Sequence, residues 1–130
     1  MARAVARGIA RAGRDLALVG LATTDAMRRT AEAEGLRFAA EAFADRRYER
    51  DGTLQSRRVR GAVITDPAVA AEQAVRIARD GLVVAVDGTE VRLHADTLCL
   101  HGDNPEAVAN ARAIREGLER AGVEVHALAL

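Results

Sequence analysis

Two short clusters in this sequence hold the residue types that move protons. Asp45-Arg46 closes one apolar run, and His101-Gly102-Asp103-Asn104 closes another. A carboxylate and an imidazole at neighbouring strand ends make an acid–base pair, because histidine titrates near neutrality and a carboxylate orients its ring. Gly102 lets a backbone approach a ligand closely. The amides that open a helix at Pro105 suit an anion such as a carboxylate or phosphate.

Each of these residues also has a purely structural use. Asp103 or Asn104 suits the N-cap of the last helix. His101 suits a core position with its ring satisfied. Asp45 and Arg46 suit an ion pair that shapes a loop, and two of Arg57, Arg58 and Arg60 suit solvated surface charge. His94 and His126 read as surface residues. Cys99 lies mid-strand, where a buried and inert thiol is expected. His101 with Asp103 supplies at most part of a metal ligand set. No phosphate-binding loop, zinc pattern or nucleophile elbow occurs.

The elements that must position these clusters follow from spacing. The stretch Glu41–Asp66 is long and charged, yet holds Phe43 and Tyr48, two of only three aromatic residues in the chain. Connections beyond about 12–15 residues are usually functional or disordered, and disorder goes with few aromatics. This one reads as an ordered active-site loop. Before it, a helix is expected over Arg3–Ala12, with Ala2, Val5, Ala6, Ile9 and Ala12 on one face and Gly13 as its stop. The four arginines between Met1 and Asp15, with no acid before Asp15, also resemble a transit peptide. A strand over Leu16–Val19, closed by Gly20, is followed by a helix capped by Thr23 or Thr24 that stops at Gly35. Leu36–Phe43 is the next strand.

After the loop, Asp66-Pro67 opens a helix with Ala71, Ala74, Val75 and Ala78 as its apolar stripe. Gly81 ends it. Leu82–Val86 and Thr89–Leu93 flank an Asp87-Gly88 turn and read as a hairpin. Thr97–His101 is a buried strand. Asn104-Pro105 opens a last helix with Val108, Ala111, Ile114, Leu118 and Ala121 inward. Gly122 ends it, and Val123–Leu130 is a final strand. The order indicates one domain of mainly parallel α/β architecture.

Composition narrows the function classes. The 130 residues carry 19 basic and 19 acidic side chains, so no net basic field draws nucleic acid or an anionic membrane. A single cysteine fits a reducing, cytoplasmic compartment. No apolar run approaches the ~20 residues of a membrane helix.

Two segments carry a more specific signal. FADRRYERDGTLQSRRVRGAVITDP, from Phe43, resembles FADRxYxxDGxLVPRxxxGAxIxD of the LamB/YcsF family, the A subunits of bacterial 5-oxoprolinases. ADTLCLHGDNPEAVANAR, from Ala95, resembles that family's AxTxCxHGDxPxAxxxAR. The preceding LALVGLATTDAMRRTAEAEGLRFAAEAFADR looks like the family's approach to the first motif. The resemblance covers about Leu16 to Ala121.

It implies a seven-stranded, TIM-like β/α barrel of the glycoside hydrolase/deacetylase kind. It implies ATP-dependent opening of 5-oxo-L-proline to L-glutamate, with ATP and magnesium as cofactors and B and C subunits as partners. A lactam is a resonance-stabilised amide that water attacks slowly. Phosphorylating its oxygen makes it a good electrophile, and the site then needs cations or amides for phosphate and an acid–base pair.

Carried over by motif, Asp45, Arg46, Tyr48, Asp51, Gly52 and Arg57 match the first block, and His101, Gly102 and Asp103 the second. The expectation is that His101 and Asp103, with Asp45, handle protons. Arg46, Tyr48, Arg57 and Gly102 then bind substrate or phosphate. Leu54-Gln55-Ser56-Arg57 departs from Leu-Val-Pro-Arg and removes a proline beside Arg57. The family's DLNxDxGE, CGFHxGD, GAHPS and KPHGxLY segments do not occur here, so the chain resembles the C-terminal half. A related barrel-type, metal-dependent deacetylase or amidohydrolase with His101 and Asp103 as ligands is the alternative. A half that acts only with a partner chain is another.

Overall fold

A computed structural model describes residues 1–13 and 15–128 of the chain. Helix α1 (Ala2–Ala12) leads into β1 (Ala17–Leu21), α2 (Asp25–Ala33) and β2 (Arg37–Phe43). After the long loop come α3 (Pro67–Val75), a π-helical turn over Arg76–Asp80, the hairpin strands β3 (Leu82–Val84) and β4 (Glu90–Arg92), then β5 (Thr97–Cys99) and α4 (Ala107–Arg120). β1, β2 and β5 form a parallel sheet with β2 in the centre. β3 and β4 pair antiparallel apart from it. The expected mixed α/β class with mostly parallel strands is what the chain adopts.

The sheet register places the functional ends together. Phe43 at the end of β2 lies opposite Cys99 at the end of β5, so both chains leave the sheet at one level. β5 stops at Cys99 rather than at the expected His101 because β2, its partner, stops at Phe43. The start of β5 is tied to β2 twice, by Asp96 N–H to the Ala40 carbonyl and by Ala40 N–H to the Asp96 carboxylate, each at 2.8 Å.

Gly20 does not close β1. The strand runs through it to Leu21, and a Cβ there would lie 2.8 Å from Met27 Cβ and 3.0 Å from a Phe38 ring carbon. Glycine at this position serves the close approach of α2 to the sheet. Thr24 takes the N-cap place of α2 without a side-chain cap bond, and Thr23 instead donates its hydroxyl to the Gly52 carbonyl in the loop. Asp66 caps α3 as expected, accepting from Ala68 N–H at 2.8 Å with Pro67 behind it.

Helix faces differ from the periodic expectation in three places. On α1 only Ala6 is buried, and Val5 is 43% exposed. On α3 the π-turn inserts a phase shift, so Ile77 is buried where the spacing predicts Ala78. α4 starts at Ala107, past Pro105, and neither Asp103 nor Asn104 caps it. It buries Asn110, Ile114, Gly117 and Leu118, leaving Val108 and Ala111 exposed. A Cβ on Gly117 would lie 3.2 Å from Ala71 Cβ, which marks the tight crossing of α3 and α4.

The expected final strand does not form over residues 123–128. They join no ladder among the described residues, and Val125 and Leu128 are 46% and 41% exposed. A lone extended segment gains nothing without a partner strand. Ala129 and Leu130, the end of that expected strand, lie outside the described residues.

Three apolar clusters hold the chain. Ala6, Leu18, Ala31 and Leu36 join α1, α2 and the sheet. Ala44, Ile64, Ala70, Ala74, Ile114 and Leu118 join α3 and α4 to the loop. Ala42, Tyr48, Ile77 and Val83 lock the loop onto the hairpin. Burial of such side chains stabilises by roughly 25 cal/mol per Å² of apolar surface.

Candidate functional site

The loop between β2 and α3 is folded into a finger of two antiparallel levels. Arg46 pairs with Val63, and Tyr48 with Leu54. Arg47 N–H donates to the Ala62 carbonyl and Ile64 N–H to that of Asp45, at 2.9 and 2.8 Å. At its tip Gly52 has a φ of 81°, a left-handed conformation that glycine adopts without strain. Asp51 accepts from the amide and hydroxyl of Thr53, which holds its carboxyl below the usual range. The ordered loop expected from the sequence is present.

Asp45 and His101 meet at the base of this finger. The Asp45 carboxylate is fully buried and accepts the His101 backbone N–H at 2.9 Å. His101 Nδ1 lies 3.0 and 2.9 Å from its two oxygens. An ionised carboxylate only accepts, so Nδ1 carries the proton. In the neutral ring that leaves the Nε2 lone pair free as a base. The Phe43 ring stacks on the imidazole, with centroids 5.6 Å apart and planes 18° apart. The ring is thus fixed by a carboxylate at its edge and an aromatic at its face.

His101 lines a recess of about 200 Å³ with Arg57, Val63, Asp103 and Asn104. Arg57 and Asp103 face each other there, with Arg57 Nη1 3.5 Å from the Asp103 carboxylate. Arg46 is buried. It donates to the Gln55 carbonyl at 2.7 Å, and its Nε has no hydrogen-bond partner among the described residues. Burial lowers its pKa first, and the charge of Arg57 lowers it further. Two guanidinium groups thus act on each other at this end of the loop, a setting that an anion relieves.

The remaining sequence candidates fall elsewhere. Asp103 does not join His101 in a proton-handling pair: its side chain is 70% exposed and turned to Arg57, and Asp45 takes that place. Tyr48 is no ligand-binding residue at the surface. It is fully buried, its hydroxyl accepts Phe43 N–H at 2.8 Å, and burial pushes its pKa up to about 12. Gly102 is exposed, with open space where a Cβ would lie. Asp45 and Arg46 do not bond each other, since their partners are His101 and the Gln55 carbonyl. Cys99 is partly buried and its thiol is pushed up to about 11 by burial and then by Glu41, which suits an inert thiol. His94 and His126 are surface residues, as expected.

Two buried amides escape a reading of the sequence. Gln73 on α3 donates to the carbonyls of Phe43, Ala44 and Arg46. Asn110 on α4 donates to the Ile64 carbonyl at 3.3 Å. The available signal is a polar residue inside an apolar run, as in AVAAEQAV around Gln73.

The residues present do not fit every expected group. Among the described residues no three His, Cys, Asp or Glu side chains converge as a metal site would require. His101 Nδ1 is bonded to Asp45, and the exposed Asp103 carboxylate lies 3.5 Å from Arg57. The recess fits a carboxylate or a phosphoryl group. Its volume on this chain lies below the ~300–1,000 Å³ of pockets that enclose larger ligands.

The family model described as LamB/YcsF matches residues 1–130. The chain belongs to the LamB/YcsF family. Over 125 residues it is 52% identical to the 5-oxoprolinase A subunit of Chloroflexus aggregans, covering 96% of this chain and 49% of that one. The 5-oxoprolinase A subunit of Kocuria rhizophila is 49% identical over 128 residues, covering 98% and 50%. The crystal structure of a lactam utilization protein from Thermus thermophilus superposes with a TM-score of 0.84 at 47% identity, over 97% of this chain and 49% of that one. This LamB/YcsF chain spans about half the length of the curated relatives it matches.

Proposed function

We propose that this chain is a half-length portion of the A subunit of a 5-oxoprolinase, working with B- and C-type subunits to open 5-oxo-L-proline to L-glutamate. The observation that carries this reading is the carboxylate–imidazole pair of Asp45 and His101, formed by the FADR and HGD motifs. Opening a lactam needs a base for the attacking water and a proton for the departing ring nitrogen. His101 Nε2, free while Asp45 holds Nδ1–H, takes the proton from water and returns it to nitrogen. Asp45 stabilises the imidazolium between these steps. Arg57, at the recess, and the buried Arg46 hold the substrate carboxylate or a phosphoryl group. Asp103 sets the position of Arg57.

ATP and magnesium, which the family resemblance implies, belong in this proposal outside the recess, in residues beyond those around His101. β1, β2 and β5 are read as neighbouring staves of a TIM-like, seven-stranded barrel whose other staves come from the rest of the full-length protein. The site then lies at the C-terminal ends of the strands, where such barrels carry their chemistry.

The test is glutamate formation from 5-oxo-L-proline by the assembled enzyme carrying His101→Ala. A fall of about 10²-fold or more is expected, the usual worth of a general base. An unchanged rate removes His101 from the mechanism.

A further inference from the structure

We infer that Gln73 is a positioning residue for the Asp45–His101 pair; its importance for turnover rests on the function proposed above. β2 ends at Phe43, and the chain turns there, leaving the backbone carbonyls of the bend to be satisfied. Those of Phe43, Ala44 and Arg46 all meet Gln73 Nε2, at 2.9, 3.1 and 2.9 Å. Three carbonyls around one atom identify it as the amide nitrogen rather than the oxygen. An NH₂ group has two hydrogens, so the three acceptors share them.

Asp45 sits between Ala44 and Arg46, and its own carbonyl accepts Ile64 N–H at 2.8 Å. Every carbonyl from 43 to 46 is therefore held, three of them by one side chain. The Asp45 carboxylate leaves this fixed backbone to receive both His101 N–H and Nδ1. Phe43, whose ring stacks on His101, is anchored by the same amide.

Gln73 is nearly buried, on a helix otherwise built largely of Ala and Val. A buried amide costs desolvation unless its bonds are made, and the bonds it donates go to this bend. α3 is itself fixed by the Asp66 cap and by the close crossing of Ala71 with Gly117. The position of the carboxylate is thus referred to a rigid helix rather than to the loop alone.

Long-range ¹H–¹⁵N spectra of the imidazoles in the full chain test this. The chain has three histidines, of which His94 and His126 are exposed references. In the wild-type chain His101 is expected as the Nδ1–H tautomer. Gln73→Met, similar in volume and unable to donate, is expected to lose that single tautomer. Glu72→Gly, which loosens the same turn of α3 on its exposed side, where Glu72 bonds Arg76, is expected to keep it. An unchanged tautomer in Gln73→Met overturns the inference, as does an equal change in Glu72→Gly. Gln73→Asn, one methylene short of the carbonyls, is read in the same way where Gln73→Met does not fold. A lost tautomer in Gln73→Met alongside full activity of His101→Ala leaves this inference standing and removes only the proposed catalytic role.

Discussion

His101 shows how much of an imidazole's behaviour is decided by one partner. A lone ring would exchange tautomers, whereas the buried Asp45 carboxylate assigns the proton to Nδ1 and leaves Nε2 to act. Tyr48 shows the converse, a reactive type made inert by burial. Its hydroxyl spends itself on Phe43 N–H, and its pKa is raised from 10.0 to about 12. The unfolded chain then ionises at lower pH than the folded one. This contribution to stability is complete below pH 10 and is lost as pH rises to about 12, a change of roughly 3 kcal/mol. Tyr48 is the only tyrosine and there is no tryptophan, so tyrosinate absorbance reads it cleanly. Tyrosinate formation is expected to coincide with alkaline unfolding; ionisation near pH 10 in a folded chain contradicts the burial argument. At this scale the residue types point to the two strand exits that the structure brings together, but not to Arg57 as the partner of Asp103. Nothing in HGD tells that a carboxylate 56 residues upstream reaches the imidazole first.

The long loop is built as an element in its own right. Its finger is closed by backbone pairing, by Tyr48 beneath it, and by amides from the two helices that follow. The helices can grip it because they cross closely at Gly117. Adding valine there forces side chains into Ala71 and should cost about 1–3 kcal/mol, the usual penalty of overpacking. Gly117→Val is therefore expected to lower the urea midpoint of unfolding, and an unchanged midpoint contradicts the tight crossing. Element existence is largely legible, because caps such as Asp66-Pro67 and turns such as Asp87-Gly88 act locally. Phase is less so. The π-turn after Val75 depends on tertiary packing, and it puts Ile77 in the core in place of Ala78. Gly20 reads as a stop because a glycine needed for close approach looks the same in sequence as one needed for a turn.

At the scale of the molecule, three parallel strands carry the site, and each outer strand, β1 and β5, pairs only with β2 among the described residues. The same three strands belong to a family whose compared members are about twice as long. In the proposed barrel the remaining half supplies the neighbouring staves and the walls of the recess, so activity belongs to the assembly. Residues 123–128 join no ladder among the described residues, since pairing is a property of neighbours rather than of residues. No helix among the described residues is long and apolar enough to cross a membrane. The two family motifs meet in space: the first supplies Asp45 and the second His101. That contact is tested most directly by the turnover of 5-oxo-L-proline in the assembled enzyme carrying Asp45→Asn. A fall in kcat of at least about 10²-fold with KM little changed is expected, because the proposed base loses its orientation while the arginines proposed to hold the anion remain. A wild-type kcat would contradict the proposed role of the Asp45–His101 pair.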